Sequence, residues 1–312
     1  MIGVCIVTYN QEDYIAQALD SVLAQRECPE TIRVYIGNDC STDRTYEICL
    51  EYSKRFPDSI RLLNNQKNIG LVNNTVEVLK SIIKDGCNYI AMLDGDDYWC
   101  DPFKLRKQLC FLYEHPDYGF IHTRSYLLYN DNGVLVKPKL SSPPCGNVLP
   151  YISTLPIANC TVLFSSKLLE TIDLNALAQK GFLSLDYVMY VLFSTFTNFG
   201  FLEDYTAVWR RGHTSVSNTN DEAKQIKYLE NDKAMWKYLG ELFPDRFCFK
   251  EDYWNEYYYN KVFNIAYRFK DYSLAHSLLP RLNKKGSTVF RIKKLCATNY
   301  ILFSIWSLLK FK

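Results

Sequence analysis

No stretch of the 312 residues approaches the roughly 20 consecutive apolar residues that a membrane-crossing helix needs. Charge of one sign is also missing. The formal net charge is only +2, which excludes the broad basic excess of a nucleic-acid-binding chain. Eleven cysteines are present, an odd number with no CxxC pair, so neither a disulfide framework nor a structural zinc site is expected. The chain opens Met1-Ile2-Gly3-Val4 with no charged leader region. Reduced thiols and the lack of a signal peptide point to a cytoplasmic protein.

Apolar residues make up 48% of the chain, enough for a sizeable core, so disorder is excluded. They are ordered in a repeating pattern. Gly3–Thr8, Ile32–Gly37, Ile60–Leu63 and Tyr89–Leu93 read as short buried strands. Between them lie helical patterns: Ile15, Ala18, Leu19, Val22 and Leu23 on one stripe, Arg44–Lys54 behind the caps Ser41-Thr42-Asp43, and Leu71–Lys84. Pro102 opens a further helix carrying Leu105, Leu109 and Leu112. Strand and helix alternate four times in about 115 residues. This predicts a Rossmann-like α/β fold, a mostly parallel sheet flanked by helices, whose ligands bind beyond the carboxyl ends of the strands. Short strands are expected around Gly119–Tyr129 and Cys160–Phe164, a helix over Leu185–Phe193 and a strand near Phe199–Trp209. A boundary is placed at Asp221: residues 1–220 form the α/β domain and 221–312 a helical C-terminal extension.

Chemistry is concentrated after the fourth strand, in Asp94-Gly95-Asp96-Asp97-Tyr98-Trp99. Three carboxylates within four residues repel one another, and a fold keeps them when something cationic compensates. Aspartate and diphosphate oxygens are hard ligands suited to Mg²⁺ or Mn²⁺. Gly95 permits close approach of backbone to ligand. An EF-hand reading fails because its twelfth position is Leu105 instead of Glu. At the end of the second strand, Asp39 is placed to accept hydrogen bonds from a base or ribose, with helix capping as the alternative.

The segments Val7-Thr8-Tyr9-Asn10, Asn38-Asp39-Cys40-Ser41-Thr42-Asp43, Asn68-Ile69-Gly70 and Asp94–Trp99 occur in the order and spacing of glycosyltransferase family 2, which the chain resembles from residue 1 to about Asn218. Asp101-Pro102 and Lys104-Leu105 are similar to its bacterial cell-surface-polysaccharide members. The resemblance implies a GT-A fold and inverting transfer of a sugar from a nucleotide-diphosphate donor to a glycan or lipid-linked acceptor. It implies a nucleotide-sugar-binding half over 1–118 and an acceptor-side half over 119–220. Within the motif that also holds Thr8 and Asn10, Tyr9 would bind the nucleotide base and ribose together with Asp39. Asn68 and Gly70 would shape the nucleotide pocket. Asp94 would face ribose and metal, Asp96 would ligate the Mn²⁺ or Mg²⁺ on the diphosphate, and Asp97 would lie near the donor sugar or acceptor. The inverting base of this family is an Asp at the start of a helix in the second half; Asp186 in Ser184-Leu185-Asp186-Tyr187 matches, with capping as the competing reading.

Trp209-Arg210-Arg211-Gly212-His213-Thr214-Ser215-Val216-Ser217 is similar to the family's loop that closes over the diphosphate, which would let Arg210 and Arg211 contact phosphate and His213 the phosphate or metal. Two departures stand out. The family's His aligns with Gly212, and the first acid of its usual Asp-Asp pair is Asn38. A solvated basic loop remains the alternative for 209–217. Rival functions are a metal-dependent phosphohydrolase built on Asp94–Asp97 and a nucleotide-sugar-binding protein that has lost catalysis. The apolar run Tyr300–Leu309, bracketed by Arg291, Lys293, Lys294, Lys310 and Lys312, suits either a peripheral membrane contact through 291–312 or a helix packed on its own domain.

Overall fold

The structure, a computed structural model, describes residues 1–129, 133–138, 145–147, 157–211, 221–244, 250–282 and 287–308. The chain divides into two compact units, Met1–His213 and Thr214–Lys312.

In the first unit, β1 (Ile2–Thr8) is buried along its whole length. It runs parallel between β2 (Ile32–Asn38) and β4 (Tyr89–Asp94), and β3 (Ile60–Asn64) continues the parallel set beyond β2. These strands are near-continuous apolar runs because helices cover both sheet faces. Of the covering helices, α1 (Ile15–Leu23) buries Ile15, Ala18, Leu19 and Val22, the stripe its spacing predicts. The next, α2 (Thr45–Arg55), begins where Asp43 accepts a hydrogen bond from the Thr45 amide at 2.9 Å. The third, α3 (Leu71–Lys84), lies so close to the sheet that a Cβ on Gly37 would stand 2.5 Å from a Val78 methyl.

Register brings the strand ends together. Thr8 pairs with Asn38 across β1 and β2, and Val7 with Asp94 across β1 and β4. The chemistry-bearing loops therefore leave the sheet side by side.

Beyond β4 the sheet becomes mixed. A two-residue strand β5 (Tyr98–Trp99) precedes α4 (Lys104–Glu114). The long β6 (Tyr118–Tyr129) pairs antiparallel with β7 (Val134–Val136) and β8 (Leu163–Ser165), and parallel with β9 (Asn198–Arg211). The order across the sheet is β3-β2-β1-β4-β8-β6-β9-β5. Between β8 and β9 lie α5 (Leu174–Gln179) and α6 (Leu185–Phe193). Phe120 stacks on Phe199 at 3.9 Å between ring centres, fixing β6 against β9. One expected strand is shorter than its apolar run suggests. Asn159–Thr161 forms a 3₁₀ turn instead, closed by the Thr161 amide and hydroxyl, both donating to the Ala158 carbonyl.

The second unit is helical: α7 (Glu222–Leu242), α8 (Glu251–Phe269), α9 (Tyr272–Leu278), α10 (Thr288–Cys296) and α11 (Tyr300–Leu308). Asp221, Asp271 and Ser287 cap α7, α9 and α10 through side-chain oxygens. Its core joins Phe263, Ala266, Tyr267, Ala275 and Phe303. The α11 run is thus partly packed on its own unit through Phe303, while Tyr300, Ile301, Ile305 and Leu308 are exposed. Among the described residues no helix is long and apolar enough to cross a membrane.

Candidate active site

At the end of β1, Thr8 is buried and donates to the Gln11 side chain at 2.8 Å. Tyr9 points outward, 45% exposed. Asn10 takes a left-handed conformation, φ 52°, which Asn tolerates better than most residues. It turns the chain so that its side-chain carbonyl accepts from the Thr42 amide at 2.8 Å, while its own amide donates to Ser41 at 3.0 Å. The loops after β1 and β2 are thereby tied to each other.

Asp39, 2% exposed, shapes the third loop. Its carboxylate accepts from Asn65 Nδ2 (2.9 Å) and from the amides of Ile69 and Gly70 (both 2.8 Å). A carboxylate has about four lone-pair sites, so most of this one is committed to protein donors. Asn68 accepts from the same Gly70 amide at 3.1 Å. Gly70 itself has φ 85°, a conformation that favours glycine, and starts α3. Asn38 is tied to Asn64 and Ser41, both at 2.6 Å, by its amide nitrogen and oxygen respectively. In this loop Asn38 therefore works through hydrogen bonds that need no charge.

The acidic turn is built differently. Gly95 is packed so tightly that a Cβ would lie 2.5 Å from Gln11 Oε1 and 3.0 Å from Thr8 Cβ. Burial and then the charge of Asp96 raise the Asp94 carboxyl to about 7; Asn159 opposes this, and Asp186 adds to it. Asp97, 2% exposed, is pushed well above the usual carboxylate range by burial and then by Asp96 and Asp94. Its oxygen accepts from the Arg210 amide at 2.8 Å. Asp186 stands in the first turn of α6, its carboxyl raised by burial against the lowering effect of the Tyr187 amide. The structure thus brings Asp94, Asp96 and Asp97 within electrostatic reach of one another, and Asp186, about 90 residues downstream, within reach of Asp94.

Arg210 clasps this turn from β9. Its guanidinium donates to the Asp96 carbonyl and to Gln17, and lies over the rings of Tyr14 (5.0 Å) and Tyr98 (4.8 Å). Arg211 lies over Trp209 at 3.7 Å and is exposed. His213, with Gly212 and the rest of the 212–217 loop, lies outside the described residues. Among the described residues no three His, Cys, Asp or Glu side chains form a ready-made metal cage.

Several contributors carry no motif. Asn159 donates to both Asp94 oxygens, at 3.0 and 3.2 Å, and accepts from the Tyr190 hydroxyl at 2.6 Å. Below them Trp99 Nε1 donates to the Cys160 carbonyl (2.9 Å) and Gln108 to that of Thr161 (2.9 Å). Lys104 is fully buried, donates to Gln108 at 2.7 Å, and sits 4.4 Å from the Trp99 ring centre. Burial lowers its amine to about 7. Only the Asp101–Leu105 resemblance hinted at this underlayer.

The fold has known counterparts. TarS of S. aureus in complex with UDP-GlcNAc superimposes with a TM-score of 0.56 at 15% identity, covering 98% of this chain and 89% of that one. A mannosyltransferase of Pyrobaculum calidifontis, in complex with GDP-Man and Mn²⁺, gives 0.56 at 13%, covering 100% and 88%. These are GT-A folds, and so is the first unit here. The model of glycosyl transferase family 2 matches residues 3–161, half of the chain, and the protein belongs to that family. Among curated relatives, an uncharacterized protein of Mycobacterium tuberculosis is 41% identical over 126 residues, 40% of this chain and 35% of its own length. The putative glycosyltransferase EpsE of Bacillus subtilis is 32% identical over 143 residues, 46% of this chain and 49% of its own. The chain therefore spans a third to a half of the curated relatives it matches.

Proposed function

We propose that the protein transfers a sugar, with inversion, from a nucleotide-diphosphate sugar to a hydroxyl of a glycan or lipid-linked acceptor. The observation that carries this reading is the crowding of Asp94, Asp96 and Asp97 at the carboxyl end of β4, with Asp186 brought within electrostatic reach of Asp94. These carboxylate oxygens are hard donors of the kind that suit Mn²⁺ or Mg²⁺ once a diphosphate supplies further ligands. Asp96, with Asp94 beside it, would hold the ion, and the diphosphate would complete the coordination, as would His213. When bound, such an ion stabilises negative charge on the departing diphosphate. The chain's own groups do the rest. Asp39, Asn68 and Gly70 shape the nucleotide pocket, with Thr8, Tyr9 and Asn10 along its other wall. Gly95 lets the backbone approach the donor, Asp97 faces the sugar or acceptor, and Arg211 reaches phosphate. Arg210, already engaged by Asp96 and Gln17, acts on the donor by holding the acidic turn. Asp186 accepts the acceptor hydroxyl's proton as that oxygen attacks the anomeric carbon.

Residues 1–118 form the donor half and 119–220 the acceptor half. A relative named as a putative teichuronic acid biosynthesis glycosyltransferase of Bacillus subtilis supports a part in polysaccharide synthesis; our reading places it in assembly of a bacterial lipopolysaccharide, O-antigen or capsule at the cytoplasmic membrane face. Exposed Leu295, Tyr300, Ile301, Ile305 and Leu308, with Arg291 nearby, would rest on that surface. Removing 291–312 should release the protein from membrane fractions; unchanged partitioning would reject the contact.

The decisive test is donor hydrolysis and binding across nucleotide sugars with Mn²⁺, Mg²⁺ or EDTA. Metal-dependent release of one nucleoside diphosphate, lost in Asp96→Ala, is the expected result. Phosphate release from simple monoesters without any nucleotide binding would favour a phosphohydrolase instead.

A further inference from the structure

We propose that Asn159 and Tyr190 are positioning residues that fix the Asp94 carboxylate and set its spacing from Asp186. The inference rests on the transferase reading but uses residues that none of its motifs contains.

Asn159 has one amide NH₂ group and one carbonyl oxygen, and the structure gives each a single task. The NH₂ spans both Asp94 oxygens (3.0 and 3.2 Å), while the oxygen is occupied by the Tyr190 hydroxyl (2.6 Å). A flipped amide would turn its carbonyl toward the carboxylate, oxygen against oxygen. The Asp94 carboxylate therefore selects the amide orientation, and the Tyr190 hydroxyl, donating to the amide oxygen, anchors it there. Both residues are anchored. Asn159 opens the 3₁₀ turn whose next two carbonyls are held by Trp99 and Gln108. Tyr190 is 2% exposed and packs edge-on against Phe120 at 5.0 Å. It also stands four residues after Asp186 on α6, one helical turn along the same face. A rigid path thus runs from Asp94 through Asn159 and Tyr190 to the helix that carries Asp186. A transferase needs that spacing, because donor and acceptor oxygen must meet in line across it.

The test uses the full chain with UDP-GlcNAc and GDP-Man as probes, together with any other nucleotide sugar that the hydrolysis screen returns. Tyr190→Phe removes one hydroxyl and keeps the ring, so the fold should hold, with Tm within a few degrees of the parent. Outer partners of ligating groups typically matter by about 10- to 100-fold. We therefore expect kcat to fall by about 10-fold or more in Tyr190→Phe, with donor Kd from calorimetry changed by less than about 3-fold. Asn159→Ala should lower kcat further and weaken donor binding as well. In the double variant the hydroxyl should have lost its effect, so the two losses are not additive. A purely structural role would lower Tm and leave kcat of the folded fraction unchanged. Wild-type kcat in folded Tyr190→Phe, or strict additivity of the two losses, overturns the positioning role and leaves the transferase reading intact. A wild-type protein that neither binds nor turns over any nucleotide sugar overturns both.

Discussion

The carboxylates at the ends of β2 and β4 occupy equivalent places in the sheet, yet their surroundings are opposite. Asp39 is met by three N–H donors from the 65–70 loop, so the protein itself supplies the compensation that a buried charge requires. Asp94 and Asp97 are buried beside a third carboxylate and share three donors between the two of them: the Asn159 amide for one, the Arg210 backbone amide and Cys160 for the other. The Arg210 guanidinium nearby donates to the Asp96 carbonyl and to Gln17. One site is complete when the chain is folded. The other keeps its carboxylates crowded against one another. Crowding of buried carboxylates is costly in any fold, and its presence at one strand end and not the other marks the acidic turn as the candidate for chemistry.

The largest effect that would sharpen this contrast is on chemistry alone. Asp186→Asn removes the proposed base but keeps shape and packing, so turnover should fall by about 1,000-fold while donor binding stays near the parent value. Because burial raises the Asp186 carboxyl, the parent's activity should be lost with falling pH above the ordinary carboxylate range. The reactive form is the deprotonated one, so activity rises as pH climbs through that raised value. A variant with parental turnover would remove Asp186 from catalysis.

Asp39→Ala should act the other way, on structure before chemistry. It removes the acceptor of the Ile69 amide and one of the two acceptors held by the Gly70 amide and by the Asn65 side chain, in a closed loop. A cost of about 3 kcal/mol is expected from urea unfolding, together with weaker donor binding. If Asp39→Ala instead kept full stability and lost only binding, the two strand ends would be alike and the contrast would fail.

These differences mark what the sequence could and could not convey. The parallel half was legible because each strand is a buried apolar run and each helix a clean stripe; α6 was read at its observed bounds from Leu185 to Phe193. The acidic turn, Asp39 and Gly70 were legible because charge and glycine at strand ends have local physical meaning. Asn159, Tyr190 and Gln108 were not. Each makes its contribution across 50 residues or more of chain, or through a side chain whose type alone signals nothing. The turn at Asn159–Thr161 was hidden for a related reason: Cys160, Thr161 and Val162 are apolar or β-branched, and only the closure onto Ala158 bends them away from a strand.

The last predicted effect, visible only as a drift of stability with pH and not in activity, concerns Lys104, a buried amine beside Trp99. Lys104 has its amine lowered to about 7 by burial, against 10.5 when free in water. Between those values the unfolded chain binds the proton and the folded one does not. Unfolding free energy therefore rises with pH across that window, and below it both states are protonated and the full cost of burying the charge remains. The limiting slope for one such group is about 1.4 kcal/mol per pH unit. Lys104→Met keeps the stem and its packing on Trp99 while removing the titration, at the expense of the Gln108 contact, about 1 kcal/mol. The stability difference between variant and parent should thus favour the variant most near pH 6 and drift toward the parent by pH 10. A difference independent of pH would mean that the amine stays charged in the folded protein. The layer around Trp99 would then hold a full buried charge next to Cys160, and its contrast with the compensated Asp39 would have to be redrawn.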